Sequence, residues 1–130
     1  MSKTGSCLCG AVRYVVTGPL RDVVACHCTQ CRKTSGHHVA ATAAAHADID
    51  ITGADSIRWY PSSPGVRRGF CGTCGSQLFW EVEGRDTVSI FAGSLDGDSG
   101  LNTSAHIHAG TKGDYYDIAA GTPVYPGEAP

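Results

Sequence analysis

Seven cysteines, placed as Cys7 and Cys9, then Cys26, Cys28 and Cys31, then Cys71 and Cys74, restrict this chain more than any other feature. Sulfurs at such spacings serve either disulfides or metal, and an odd number cannot pair off completely. The start, MSKTGSCLCG, has no apolar run of the signal-peptide kind, so a cytoplasmic location is expected. A reducing compartment keeps thiols free, which puts metal binding ahead of a disulfide framework.

Cys7 and Cys9 are separated by one residue, and in an extended segment both side chains would point to one face and grip one ion. Cys71 and Cys74 stand in FCGTCGS, where Gly72 and Gly75 are expected to supply the positive φ of a tight metal-binding turn. Four thiolates saturate a tetrahedral zinc, so this quartet is read as structural. The apparent affinity of such a site, about 10 to 16 kcal/mol, matches or exceeds a whole domain's stability of about 5 to 15 kcal/mol. Loss of one ligand is therefore expected to unfold the chain.

The stretch ACHCTQCRKTSG holds the other three cysteines. Cys26 and Cys28 again share a face if extended, and a short helix through about Thr34, with Thr29 as the expected N-cap, brings Cys31 within reach. Three sulfurs leave one position of a tetrahedral zinc vacant, the usual mark of a catalytic rather than a structural ion. Three thiolates on a dication make a weak Lewis acid that acidifies water poorly but takes soft ligands. A thiol with a free pKa of about 8.5 can enter as thiolate at neutral pH. The triad thus suits sulfur chemistry better than hydrolysis.

With 130 residues the chain is read as a single zinc-binding domain spanning 1–130. Its 17 glycines and 6 prolines interrupt helical periodicity almost everywhere, which predicts a mainly β fold of short strands with at most short helices. Strands are expected at 11–17, 22–26, 38–44, 48–51, 56–60, 66–70, 77–83, 87–92 and 106–109, with a hairpin at Gly84 and a tail that frays beyond Tyr125. The Ala-rich stretch from His38 is read as a strand against alanine's helical preference. Trp59, Tyr60, Phe79, Trp80 and Phe91 are read as core. The formal net charge of -2 lacks the basic excess of a nucleic-acid binder, and the longest apolar-leaning run is too short to cross a bilayer.

Taken together, GSCLCGAV, CHCTQCRKTSG, RGFCGTCGSQLFW and AGSLD resemble the glutathione-dependent formaldehyde-activating enzyme family, also called the centromere protein V family, over about residues 5–125. The resemblance implies an Mss4-like tent of short antiparallel sheets around one structural zinc, with a second, catalytic zinc at the three-cysteine stretch. It implies a carbon-sulfur lyase activity in which a glutathione-like thiol is added to formaldehyde or another small aldehyde, as in an S-(hydroxymethyl)glutathione synthase. Carried onto this chain, the structural ligands fall on Cys7, Cys9, Cys71 and Cys74 and the catalytic zinc ligands on Cys26, Cys28 and Cys31. The chain departs from the family pattern at TKGDYYD, where Tyr115 or Tyr116 would stand for an aromatic wall.

Two other readings compete, a non-catalytic zinc module and a thiol redox switch of the triad. His27 is expected to point away from the ligands beside it, while His106 and His108 share a face and are candidates for a base. Arg32, Lys33, Arg67 and Arg68 are candidates to clamp the carboxylates of a glutathione-like thiol. His37, His38 and His46 carry no spacing argument. A zinc nucleoside deaminase is excluded by the lack of a His-x-Glu motif.

Overall fold

The computed structural model describes residues 2–130 and divides into two compact units. One comprises Met1–Arg21 with Thr42–Gly100, the other Asp22–Ala41 with Leu101–Pro130. Both are built mainly from short strands, and the fold as a whole is mainly β with a single α-helix among the described residues.

In the first unit, β1 (Lys3–Ser6), β2 (Arg13–Val16) and β5 (Ile49–Thr52) form an antiparallel sheet in the order β1-β2-β5. The pleat sorts β2 cleanly: Arg13 and Val15 face outward while Tyr14 and Val16 are buried. An antiparallel meander follows, made of β6 (Ile57–Ser63), β7 (Val66–Cys71), β8 (Gln77–Val82) and β9 (Thr87–Phe91). Trp59, Gly69, Phe79 and Ile90 stand opposite one another across these four strands. Phe79 meets Tyr14 edge-on at 5.6 Å, and Leu78, Ile90, Val12 and Val16 complete a core without solvent contact. Each such side chain contributes about 1.5 to 3 kcal/mol through burial.

The second unit is held by β3 (Val23–Cys26), which pairs antiparallel with β4 (Val39–Ala45) through Val24, Ala25 and Cys26 and parallel with β10 (Thr103–Ile107). Between β3 and β4 lies α1 (Thr29–Ser35). The boundary between the units falls within β4, after Ala41. That strand forms despite its alanines because its backbone and Thr42 are committed: Arg21 N-H donates to the Ala43 carbonyl and the Thr42 hydroxyl to the Arg21 carbonyl.

Several expectations need correction. β1 was not foreseen, since KTGS has little strand character and forms only by pairing with β2. β10 begins at Thr103 rather than His106. The tail does not fray at Tyr125: the Pro126 and Gly127 carbonyls accept from Gly110 and His108 N-H, closing an edge that would otherwise leave backbone groups unpaired. Tyr60 is not core but 59% exposed on β6. No helix among the described residues is long and apolar enough to cross a membrane.

One tight contact in the first unit is between β1 and β2. Gly5 lies opposite Tyr14, whose hydroxyl bonds the Ser94 hydroxyl at 2.6 Å, and a Cβ at Gly5 would run into the Tyr14 ring. Gly5→Ala is expected to destabilise the protein by about 1 to 3 kcal/mol through overpacking. Urea unfolding of the metal-loaded protein reads this directly, and an unchanged midpoint would contradict it.

Candidate functional site

The sulfurs of Cys7, Cys9, Cys71 and Cys74 converge in the first unit, all within 4.8 Å of one another. Cys7 and Cys9 do so from a turn rather than a strand, because β1 ends at Ser6 and Gly10 N-H closes back on the Cys7 carbonyl at 3.2 Å. Cys71 ends β7, and Gly75 N-H returns to its carbonyl at 2.8 Å with Gly75 at φ 80°. Only Gly75 of the two glycines uses positive φ. Gly72 is instead needed for space, since a Cβ there would press on the Arg58 side chain.

The donor set fits a tetrahedral ion. Cys9 Sγ lies 3.7 Å from Cys7 Sγ and 3.8 Å from Cys71 Sγ, and bonds of about 2.3 Å around a tetrahedral zinc require sulfur-sulfur edges of about 3.8 Å. Disulfide sulfurs would stand about 2.05 Å apart. Backbone donors aim at the sulfurs as thiolates require: Val12 N-H at Cys7 Sγ, 3.3 Å, and Thr73 N-H at Cys71 Sγ, 3.4 Å. Ser76, which the sequence did not single out, ties the halves together. Its hydroxyl accepts from Leu8 N-H at 2.9 Å and lies 3.2 Å from Cys74 Sγ, and this contact, with further backbone donors, brings the Cys74 thiol down to about 5.

The sulfurs of Cys26, Cys28 and Cys31 converge separately in the second unit, again within 4.8 Å of one another. Cys26 ends β3, Cys31 is buried in the first turn of α1, and Cys28 caps that helix. The N-cap is therefore Cys28, not Thr29: its extended backbone turns the sulfur to accept from Cys31 N-H at 3.3 Å. Hydrogen bonds from the Cys26 and Cys31 thiols draw the Cys28 thiol well below its ordinary range, while the same pairing pushes Cys26 up. Such pairing favours thiolate character at the cluster, which suits a soft metal.

Beside the triad in sequence, His27 is wholly buried. Its Nδ1 lies 2.6 Å from the Tyr116 hydroxyl and its Nε2 2.9 Å from His106 Nδ1. Burial first, and the neighbouring His38 and His106 second, lower its pKa to about 4, so the ring holds both contacts while neutral. Of the two tyrosines, Tyr116 is the one that enters this cluster. Lys112 Nζ donates to its carbonyl at 2.6 Å, whereas Tyr115 is 60% exposed and donates to the Gly36 carbonyl. His108 takes no part and lies 3.7 Å from Glu128, while His46 faces Glu81.

Of the candidate clamps, Arg67 is engaged by Glu81 at 2.8 Å and stacked over Trp59, and Arg68 is buried in β7, both in the first unit. Only Arg32 and Lys33, on α1, belong to the same unit as the triad. Ser35 spends its hydroxyl on the Cys31 carbonyl at 2.7 Å.

These features define a mainly β protein with two thiol clusters whose geometry is compatible with zinc. The profile of the glutathione-dependent formaldehyde-activating enzyme family matches residues 2–111, and the chain belongs to that family. It is 37% identical over 105 residues to a "putative glutathione-dependent formaldehyde-activating enzyme" of Halomonas elongata, a match covering 72% of this chain and 66% of the relative, just under two thirds of its length. It is 25% identical over 122 residues to an "uncharacterized lyase" of Schizosaccharomyces pombe, covering 93% and 88% of the two chains. A crystal structure of a Rhodobacter sphaeroides protein superposes with a TM-score of 0.61 at 26% identity, covering 75% of this chain and 91% of that one.

No disulfide joins any of the seven cysteines. Alkylation under denaturing, non-reducing conditions is expected to add seven groups per chain by mass spectrometry. A shortfall of two in freshly prepared protein would reveal a disulfide and contradict this arrangement.

Proposed function

We propose that this chain is a zinc-dependent carbon-sulfur lyase of the S-(hydroxymethyl)glutathione synthase type, joining a glutathione-like thiol to a small aldehyde. The observation that carries the reading is the unequal division of sulfurs, four in one cluster and three in the other. Cys7, Cys9, Cys71 and Cys74 would hold a structural zinc. Cys26, Cys28 and Cys31 would hold the second, and when bound there the ion supplies a position at which a thiol is accepted as thiolate at neutral pH.

The chain's own contribution is placement. Capping by Cys28 and burial of Cys31 hold two of the three sulfurs at the start of α1, and Cys26 joins them from the end of β3. Arg32 and Lys33 follow on the same helix and are candidates to meet the carboxylates of such a thiol. Holding thiol and aldehyde together replaces a bimolecular encounter, the largest gain open to a reaction that proceeds slowly unaided. The family match and the name of the Halomonas relative support glutathione and formaldehyde as the reference pair.

Exchange spectroscopy of formaldehyde, glutathione and their adduct tests this. Wild type is expected to speed the exchange by about tenfold or more, well within what proximity can supply. Cys28→Ala should remain folded by circular dichroism and return the exchange to its uncatalysed rate. Equal acceleration by the variant, or none by the wild type, would contradict the proposal and favour a non-catalytic zinc module.

A further inference from the structure

The second unit contains a cavity of about 370 Å³, within the range of about 300 to 1,000 Å³ typical of small-molecule sites. No cysteine lines it. One side is a group of rings, His27, His37, His38 and His106 with Tyr116. The other is a continuous run of chain, since Asp117, Ile118, Ala119 and Thr122 all border the space. That run lies beyond residue 111, where the family match ends, so this wall is no part of the matched pattern.

The run is a strap held at both ends. Ahead of it, Lys112 Nζ donates to the Gly113 and Tyr116 carbonyls at 2.9 and 2.6 Å, and the Tyr115 hydroxyl donates to the Gly36 carbonyl at 3.1 Å. Behind it, His106 N-H donates to the Pro123 carbonyl and Tyr125 N-H to the His106 carbonyl, both at 2.9 Å. Between these anchors, residues 117–122 make no hydrogen bond to the rest of the described chain. Gly121 stands among them at φ 108°, a conformation that side chains strain against and that gives the segment a pivot. Lifting the strap therefore breaks no bond to its surroundings and uncovers only the half-buried Ile118 and Thr122.

The ring side sets what the cavity can hold. His37 and His38 lie 4.2 Å apart between centroids, His37 and Tyr116 4.3 Å, and His27 and His38 4.6 Å. Together they form a block of flat, weakly polar surface of the kind on which another aromatic ring packs. His27 adds shape alone, because it is wholly buried and both its nitrogens are taken by Tyr116 and His106. On the strap, Asp117 supplies the only carboxylate among the lining residues, and it has no ion pair or hydrogen bond. No lysine or arginine borders the space. Aromatic faces and an unpaired carboxylate both attract positive charge, so a flat ring bearing a cation suits this lining and an anion does not.

We propose that the cavity is a binding site for a small aromatic amine. Its ring packs against the imidazoles and Tyr116, its ammonium group pairs with Asp117, and the strap of residues 117–122 opens to admit it and closes over it. Such a site is separate in kind from the lyase chemistry proposed above and asks nothing of the cysteines.

The test uses the full-length, metal-loaded protein at about pH 8, above the ordinary histidine range of about 6.5, with 2-phenylethylamine as the probe. The amine is expected to shift the imidazole NMR signals of His37, His38 and His106 saturably and to slow amide exchange at residues 118–122. 2-Phenylethanol, which lacks the charge, and 2-cyclohexylethylamine, which carries the same ammonium on a puckered ring, should each need at least about a tenfold higher concentration. Phenylacetate should need more still. Asp117→Asn, a change at an exposed position, should bring the amine down to the level of the alcohol and leave the alcohol unchanged. Ile118→Ala, which trims the strap where it borders the cavity, should weaken both.

Equal binding of the amine, the alcohol and phenylacetate would overturn the pairing with Asp117, and equal binding of the cyclohexyl amine would overturn the ring wall. A saturable shift without slower exchange at residues 118–122 would overturn the strap. Absence of any shift would overturn the site altogether. None of these results bears on the thiol-aldehyde reaction, which its own exchange measurement tests.

Discussion

Four sulfurs drawn from distant parts of the first unit's sequence meet at distances that suit a shared cation. Cys9 and Cys71 are 62 residues apart in the chain, yet their sulfurs stand 3.8 Å from one another. Cys7 and Cys71 are themselves members of the apolar core around Tyr14 and Phe79. Thiols in such a place would ordinarily be inert apolar side chains. Here backbone N-H groups and the Ser76 hydroxyl point at the sulfurs, an arrangement that stabilises negative charge. Without a cation at its centre, that cluster would bring like charges together at the edge of the core that the first unit is built around.

The second cluster obeys a different economy. Its three sulfurs come from one continuous stretch, so little loop closure is needed to assemble them. What the structure adds is orientation. The helix begins at the triad because a cysteine sulfur takes the capping role usually filled by serine, threonine or aspartate. His27, between two of those sulfurs in sequence, is buried and hydrogen-bonded to Tyr116 and His106. One short segment thus carries the three sulfurs and a member of an imidazole cluster.

The sequence exposed the division of cysteines, the β character and nearly all of the strands, because cysteine spacing and period-two alternation are local signals. Even the alanine-rich β4 was readable as a strand. Less legible was anything that depends on distant partners. β1 exists only through β2, and the tail stays ordered through Gly127 only because β10 offers it an edge. Ser76 looked like an ordinary turn residue until Leu8 N-H was brought against it. His37 and His38 carried no spacing signal, since their neighbours His27, His106 and Tyr116 come from remote positions. Cys7 and Cys9 were correctly paired but for a different geometric reason, a glycine-closed turn in place of strand alternation.

The account stands on two clusters with different duties, and counting zinc in folded protein tests that most directly. Elemental analysis of wild type should give two zinc ions per chain, one for each group of sulfurs. Cys28→Ala should hold one and keep its circular dichroism, while Cys71→Ala should fail to fold. Two zincs retained in a folded Cys71→Ala protein, or loss of all zinc and fold in Cys28→Ala, would contradict the division of labour on which the proposed chemistry rests.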